Sequence, residues 1–319
     1  MKVTACAHPV QELIIPLAHL TGGYHLPFCD SISVSTAPLS TIATVQFQEE
    51  RDILINGVPP DPHTALRIDA VMRQIKRVSG IQEEIKIYSQ DNFSEKCGLD
   101  SLSPLIAAVT VAAAGAGGLD LSWKELSSIA GRGTPSAPGA VTGYFSRWSA
   151  QLQENSSYSS VLNDNLDMGM LGITIPPPSK DKNSQDIIPP PSPSHLLEFR
   201  MKMIQVSLSE MEQAIRTHKI STIGLCAERE SIMTHAVTMG EDTTLIPWNS
   251  HALRIMTEVY ALREEGICAW FNMNPGPSLF INCPPHDVPS IEKRIRELHI
   301  PVIPLQVGRG AHLLSEHLF

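Results

Sequence analysis

Seven of the chain's 25 prolines fall between Ile175 and Pro193, as two Pro-Pro-Pro runs around a polar Ser-Lys-Asp-Lys centre. Proline lacks an amide hydrogen and clashes with the preceding turn, so no helix or strand interior runs through such a segment. The expectation is a long surface connection, mobile or extended over a site. It divides the 319 residues into an N-terminal domain at 1–174, the proline-rich loop at 175–195 and a C-terminal domain at 196–319. Each flank is long enough to bury a core.

Strand signals dominate the start. Residues 2–20 hold two apolar stretches broken by Pro9 and Pro16, and Ser31 to Phe47 is rich in Ser, Thr, Val and Ile. A short strand at Asp52 to Asn56 runs into the turn signal Asn56-Gly57. From Asp61 the period becomes helical, with Leu66, Val71, Ile75 and Val78 as the apolar positions and Pro62 in the first turn. Glu84 to Ser89 reads as a strand. Ser101 to Ala116 is a helix without a charge, hence buried on nearly all sides. Ser122 and Glu125 form a capping box for a helix to Ala130. Beyond the prolines, helices are expected at Leu196–Thr217, Ile220–Thr238, His251–Glu265 and Val288–Leu298. A strand pair at Ile267–Phe271 and Leu279–Asn282 and a last strand at Val302–Val307 complete an α+β chain.

Composition excludes some function classes. A net charge of −9 and a pI near 5.7 argue against nucleic acid or a membrane surface as partner, since both require clustered cations. No apolar run is long enough to span a bilayer, and the N-terminus does not read as a secretion signal. The six cysteines form no CxxC pair, which points to buried free thiols in a reducing cytoplasm and not to disulfides or zinc. No acidic residue has ligand spacing to the histidines, so no metal site is expected.

Four segments rich in small and hydroxyl residues could carry chemistry: Pro27 to Ser33, Cys97 to Ser103, Gly131 to Gly139 and Asn274 to Ser278. Each offers free amides or hydroxyls, the groups that bind anions.

Their order resembles the diphosphomevalonate decarboxylase branch of the GHMP kinase superfamily over nearly the whole chain. Asp30-Ser-Ile-Ser33 and Leu54-Ile-Asn-Gly57 match its early segments. Asn92-Phe93 and Gly98-Leu99 stand at its phosphate loop. Ala130 to Trp148, with Gly133, Ser136, Ala137, Gly143 and Phe145, follows its substrate loop, and Ala269 to Phe280 follows its Phe-Asp-Ala-Gly-Pro segment. Glu228 to Ala236 resembles its helix ending in His-Ala. The resemblance implies a two-part GHMP-kinase-type fold, with a ribosomal protein S5 domain 2-like N-terminal part, a ferredoxin-like C-terminal part and a site in the cleft between them. It also implies a cytoplasmic carboxy-lyase of the mevalonate pathway, often a homodimer, whose ligand is a small phosphorylated isoprenoid precursor.

Departures from the family pattern refine the expectation. The family's Lys-Tyr-Trp-Gly reads Pro-Leu-Ala-His near Pro16–His19. Asp100 puts a negative charge where nucleotide phosphates approach, a repulsion of about 3–4 kcal/mol at 4–6 Å and an effective dielectric near 20. Leu102 and Leu105 replace small residues there. Asn274 stands in place of the family's catalytic Asp and cannot accept a proton at neutral pH, and Gly139 stands in place of its Arg. An enzyme whose substrate arrives already phosphorylated at the 3-position needs neither nucleotide nor base. The pattern is most similar to the archaeal ATP-independent type that converts mevalonate 3,5-bisphosphate to isopentenyl phosphate. Alternatives are an ATP-dependent diphosphomevalonate or phosphomevalonate decarboxylase, a mevalonate 3-kinase, or a non-catalytic ligand-binding member.

On this resemblance Ser136, Asn274 and Arg132 are the expected catalytic residues. Asp30, Ser31, Ser101, Ser103, Gly133, Thr134, His19, His25 and Lys180 are the expected substrate contacts. Arg132 and Lys180 would supply charge, the serines and Thr134 hydroxyls, and Asn274 a neutral donor to orient the substrate.

Overall fold

The computed structural model describes residues 1–16, 18–21, 24–27, 29–94, 100–151, 156–174, 195–241, 248–274 and 278–319; at 18–21 and 24–27 it describes the backbone alone. The expected proline-rich loop at 175–195 therefore lies, apart from the first residue of a helix, outside the described residues.

The strands in chain order are β1 (Lys2–Ala7), β2 (Val10–Ile14), β3 (Ala18–Thr21), β4 (Tyr24–Pro27), β5 (Ser31–Ala37), β6 (Thr41–Gln48), β7 (Asp52–Ile55), β8 (Glu84–Asp91), β9 (Phe145–Gln151), β10 (Ser156–Asn163), β11 (Gly169–Thr174), β12 (Trp270–Met273), β13 (Ser278–Cys283), β14 (Val302–Val307) and β15 (His312–Leu314). The helices are α1 (Pro62–Ser79), α2 (Leu102–Ala116), α3 (Trp123–Ala130), α4 (Ala137–Thr142), α5 (His195–Arg216), α6 (Ile220–Glu241), α7 (Ser250–Glu264) and α8 (Val288–Glu297).

Local chemistry explains most of these boundaries. Asp61 caps α1 by accepting from the His63 and Thr64 amides, and Gly80 ends it in the left-handed conformation. The Asn56-Gly57 turn has both residues at positive φ, 52° and 82°. Ser122 and Glu125 form the expected capping box at α3. The inner face of α1 differs from the expectation: Ile68, Val71, Met72 and Ile75 are buried, whereas Leu66 and Val78 are exposed. The buried set follows the i, i+3, i+4, i+7 rule, and Leu66 falls on the opposite side of the cylinder.

Two sheets organise the chain. Sheet one runs β15-β1-β6-β8-β7 and carries α2 across it. α2 is buried around its circumference, and its Leu105, Ile106, Val109 and Ala112 fill a core with Val45, Ile87 and Ile75. Sheet two runs β10-β9-β5-β14-β11-β13-β12, with β2 added beside β5. It joins strands from both sides of residues 175–195 through the β5–β14 pair, Val307 opposite Thr36. A second core lies under α5 and α6, with Phe145, Met170, Leu208, Met211 and Phe280. A third lies under α7 and α8, with Ile255, Val259, Phe271, Ile281 and Ile295.

The β9–β10 hairpin, β11 and the short α4 are absent from the sequence-based expectation. Their Ser-rich and Gly-containing runs (Ser156 to Ser160, Gly169 to Gly172) carry little periodic apolar signal, and pairing in the sheet defines them. Cys6, Cys29, Cys226 and Cys283 are buried free thiols as expected, but Cys268 is exposed. Among the described residues no helix is long and apolar enough to cross a membrane.

Candidate active site

The first wall of the site is the start of α2. Ser101 occupies the N-cap position yet makes no capping bond. Asp100 does that work: one carboxylate oxygen accepts from the Leu102 amide at 2.9 Å and from the Ser103 amide at 3.1 Å. A helix's first amides are an anion site, and here the chain's own carboxylate occupies it. Ser103 is fully buried, and its hydroxyl has no hydrogen-bond partner among the described residues. Leu105 sits inside the first core and Leu102 packs against it. The large side chains at 102 and 105 thus serve packing.

The second wall is the turn from α3 into α4, residues 131–136. Gly133 lies so close to α2 that a Cβ there would come 2.7 Å from Ile106 Cγ2. Thr134 is buried, and its carbonyl accepts from Ala137. Arg132 is half-buried on the turn. Ser136 precedes α4 without capping it. Glu12 of β2, a buried carboxyl only 5 % exposed, lies near it. Burial pushes the Glu12 pKa up to about 8; the Ser136 hydrogen bond opposes the rise and the nearby Asp100 charge adds to it. Glu12 is therefore largely protonated at neutral pH. Position 139 faces β5: a Cβ on Gly139 would lie 2.3 Å from Ser33 Oγ, so any side chain there needs that hydroxyl to swing away.

The third wall is the end of β12, the edge strand of sheet two. α6 covers this edge with polar side chains, which satisfy backbone groups that have no strand neighbour. Glu228 accepts from the Phe271 amide at 3.2 Å and is held by Arg263. Ser231 Oγ donates to the Met273 carbonyl at 3.0 Å and accepts from the Met273 amide at 2.9 Å. Trp248 donates its indole N–H to His235 Nδ1 at 2.8 Å, which leaves the imidazole hydrogen on Nε2, facing the Asn274 carbonyl at 3.4 Å. Burial lowers the His235 pKa to about 4, against a small opposing effect of the Asn274 bond, so the ring is neutral. Asn274 is thus held by its backbone, and its buried Oδ1 has no partner among the described residues.

One hydrogen bond ties the walls together. Gln11, beside Glu12 on β2, donates to Asn272 of β12 at 3.2 Å, and Asn272 donates to the Ala227 carbonyl of α6 at 3.2 Å.

Sequence reasoning missed a buried cation here. Arg200 of α5 is 1 % exposed and is paired with Glu230 of α6. It also donates to the Ile15 carbonyl at 2.8 Å, one residue before Pro16, where the family's lysine segment would begin. Its Nη1 has no partner among the described residues. Arg200 sits in an otherwise amphipathic helix, so only its burial marks it out. Glu12 was likewise hidden in an apolar run; a charged residue between Val10 and Leu13 was the available signal.

The other expected contacts distribute as follows. Asp30 accepts from Arg147 Nε and from the Ala150 amide, both at 2.8 Å, and Arg147 also bonds Glu212 at 2.6 Å. Its carboxylate therefore clamps β5 to β9 and α5. Ser31 is buried opposite Trp148. The backbone of His19 pairs with Leu26 and that of His25 with Leu20 in the β3–β4 hairpin, and their side chains lie outside the described residues. Lys180 lies outside them as well.

Residues 21–159 match the family model of the diphosphomevalonate decarboxylase-like N-terminal domain. The chain is 28% identical over 320 residues to the phosphomevalonate decarboxylase of Haloferax volcanii, spanning 99% of this chain and 98% of that one. It is 22% identical over 277 residues to a diphosphomevalonate decarboxylase of Aspergillus fumigatus, spanning 79% of this chain and 68% of that one. Among solved structures, mevalonate diphosphate decarboxylase from Enterococcus faecalis superposes with a TM-score of 0.88 at 24% identity, over 99% of both chains. The Staphylococcus aureus enzyme superposes with 0.89 at 23%, over 98% of both. The expected α+β, GHMP-kinase-type architecture is the one observed. The chain has the fold of the mevalonate diphosphate decarboxylases, and its residues 21–159 match the model of the diphosphomevalonate decarboxylase-like N-terminal domain.

Proposed function

We propose that the chain is a mevalonate-pathway decarboxylase, a carboxy-lyase, that eliminates CO2 and the 3-phosphate from mevalonate 3,5-bisphosphate and yields isopentenyl phosphate without nucleotide. The whole-length similarity to the Haloferax enzyme supports the decarboxylase reading. The observation that carries independence from ATP is the Asp100 carboxylate on the first amides of α2. A nucleotide phosphate arriving there meets a filled donor set and a like charge, so these residues do not fit it. Asn274 agrees with this reading, because an amide cannot deprotonate a 3-hydroxyl and the bisphosphate has none to deprotonate.

In this reaction the C3–O bond breaks with its electron pair going to the departing phosphate, while the electrons of the bond to CO2 form the new double bond. The protein's task is to align the two bonds and to meet the growing phosphate charge with donors. Ser136, Thr134 and the amides of the 131–136 turn are the candidate donors, with Arg132 as the charge and Asn274 orienting the substrate. The nearly saturated Asp30 acts by bracing the sheet beside them. A cytoplasmic homodimer remains part of the proposal.

The second reading is ATP-dependent decarboxylation of mevalonate 5-phosphate, favoured by the Haloferax similarity. Assays of mevalonate 3-phosphate, 5-phosphate, 3,5-bisphosphate and 5-diphosphate, each with and without ATP and Mg²⁺, separate the two. CO2 and phosphate released from the 3,5-bisphosphate alone is the expected result. Turnover of the 5-phosphate that strictly requires ATP overturns the first reading in favour of the second.

A further inference from the structure

Met273 opposite Leu279 is the last pair of β12 and β13, so Asn274 stands one residue past the end of the ladder. The next residue in the sequence is Pro275, which has no amide hydrogen. The peptide unit that leaves Asn274 therefore has one polar group by which it can be held, the Asn274 carbonyl. α6 holds it. Glu228, Ser231 and His235 lie at i, i+3 and i+7 on one face of α6 and bond in turn to Phe271, Met273 and Asn274. The spacing matches: a helix rises about 10.5 Å from Glu228 to His235, and a strand runs about 10 Å from Phe271 to Asn274. The helix thus gives β12 the partners that a neighbouring strand would give it.

The last of these contacts depends on a tautomer. An indole N–H can only donate, so the Trp248 bond of 2.8 Å requires a lone pair on His235 Nδ1. The ring hydrogen is then on Nε2, the nitrogen 3.4 Å from the Asn274 carbonyl. Trp248 also meets the imidazole edge-on, with ring centroids 5.9 Å apart and planes at 66°. It packs against the third core and directly precedes Asn249, the cap of α7. The imidazole is therefore oriented by a residue that is itself anchored.

We propose that His235 and Trp248 are a positioning pair for Asn274. Trp248 fixes the hydrogen on His235 Nε2, and that hydrogen fixes the Asn274 carbonyl, so that the Asn274 side-chain amide meets the substrate in one orientation. No proton is transferred, and neither residue of the pair touches the substrate. The role deepens the decarboxylase reading, since it rests on Asn274 orienting the substrate.

The test compares wild type with His235→Gln, His235→Asn and Trp248→Phe. A glutamine amide reaches as far as Nε2 and keeps the donor to Asn274; an asparagine amide reaches only as far as Nδ1 and loses it. Phenylalanine keeps a ring beside His235 and removes its N–H. With mevalonate 3,5-bisphosphate, kcat falls about tenfold in His235→Asn and Trp248→Phe, the size of one hydrogen bond. It falls no more than about threefold in His235→Gln, and KM stays within about twofold throughout. In an Asn274→Ala background His235→Asn costs nothing further, because the side chain it positions is gone. Equal losses in His235→Gln and His235→Asn overturn the proposal. So does a further loss of about tenfold in the Asn274→Ala background.

Nitrogen NMR judges the pair without any substrate. A hydrogen on His235 Nε2 and a bare Nδ1 at neutral pH support the proposal, and the opposite tautomer overturns it. The Asn274 side-chain amide gives one resolved signal in wild type and His235→Gln and a broadened or multiple signal in His235→Asn; the same signal in all three overturns it. If wild type turns over no member of the substrate panel, the decarboxylase reading fails, and these spectra still decide whether the pair fixes Asn274.

Discussion

The Asp100 carboxylate lies 2.9 Å from the Leu102 amide, so α2 is capped by a group that also closes its N-terminus to outside anions. Replacing Asp100 by Ala removes both effects. The expected outcome is a loss of about 1 kcal/mol in stability, the usual worth of an N-cap, read by urea denaturation. At the same time nucleotide affinity, read by calorimetric titration, rises by about tenfold or more as the repulsion is relieved. If ATP binds wild type and variant equally, the carboxylate is not what excludes nucleotide.

Gly139 and Ser33 compete for one space. A Cβ at 139 would lie 2.3 Å from Ser33 Oγ, which itself bonds Ser146 Oγ at 3.3 Å. Gly139→Ala is expected to cost about 1–3 kcal/mol through overpacking. Adding Ser33→Ala recovers a substantial part of this, measured as melting temperature across the double-mutant cycle. Additive losses would show that the strain lies elsewhere.

His235 makes the fold sensitive to acid. Its pKa is about 4 when folded and 6.5 when free, so as pH falls below 6.5 the unfolded chain takes up a proton that the folded chain refuses. Stability is unaffected above pH 6.5 and declines by up to about 3 kcal/mol as pH approaches 4. Urea midpoints at pH 7 and 4.5 are expected to differ less in His235→Gln than in wild type.

Glu12 acts at the other end of the range. The folded value of about 8 lies above the free value of 4.5, so its cost is absent below pH 4.5 and grows as pH rises to about 8. Glu12→Gln therefore stabilises the protein by about 3–5 kcal/mol at pH 8 and by almost nothing at pH 4.5. Denaturant titrations at the two pH values decide this without reference to activity.

The Arg200–Glu230 pair is sealed in the protein, 1 % and 4 % exposed. Arg200→Met strands a buried carboxylate and is expected to destabilise by about 3–5 kcal/mol. Combining it with Glu230→Gln removes the stranded charge, and thermal unfolding should return toward wild type. A double variant as unstable as the single one would mean that the bond to the Ile15 carbonyl is the main contribution.

The sequence by itself determined what depends on neighbours a few residues away. The Ser122–Glu125 capping box, the Asn56-Gly57 turn, the buried α2 and the chain of helices after residue 195 follow from capping chemistry, φ preference and period, and all are present. The order of small-residue segments also carried the fold and the similarity to the diphosphomevalonate decarboxylases. Tertiary structure alone decided which side chains meet. Asp30 reaches Arg147 across 117 positions, Arg200 reaches Ile15 across 185, and α6 of Glu228, Ser231 and His235 lies along β12. These pairings are set by sheet register and by which strand is left at an edge, and no local preference encodes either. For the same reason nothing local predicts the burial of Glu12, whose carboxyl is enclosed because β2 is laid beside β5 and under α6.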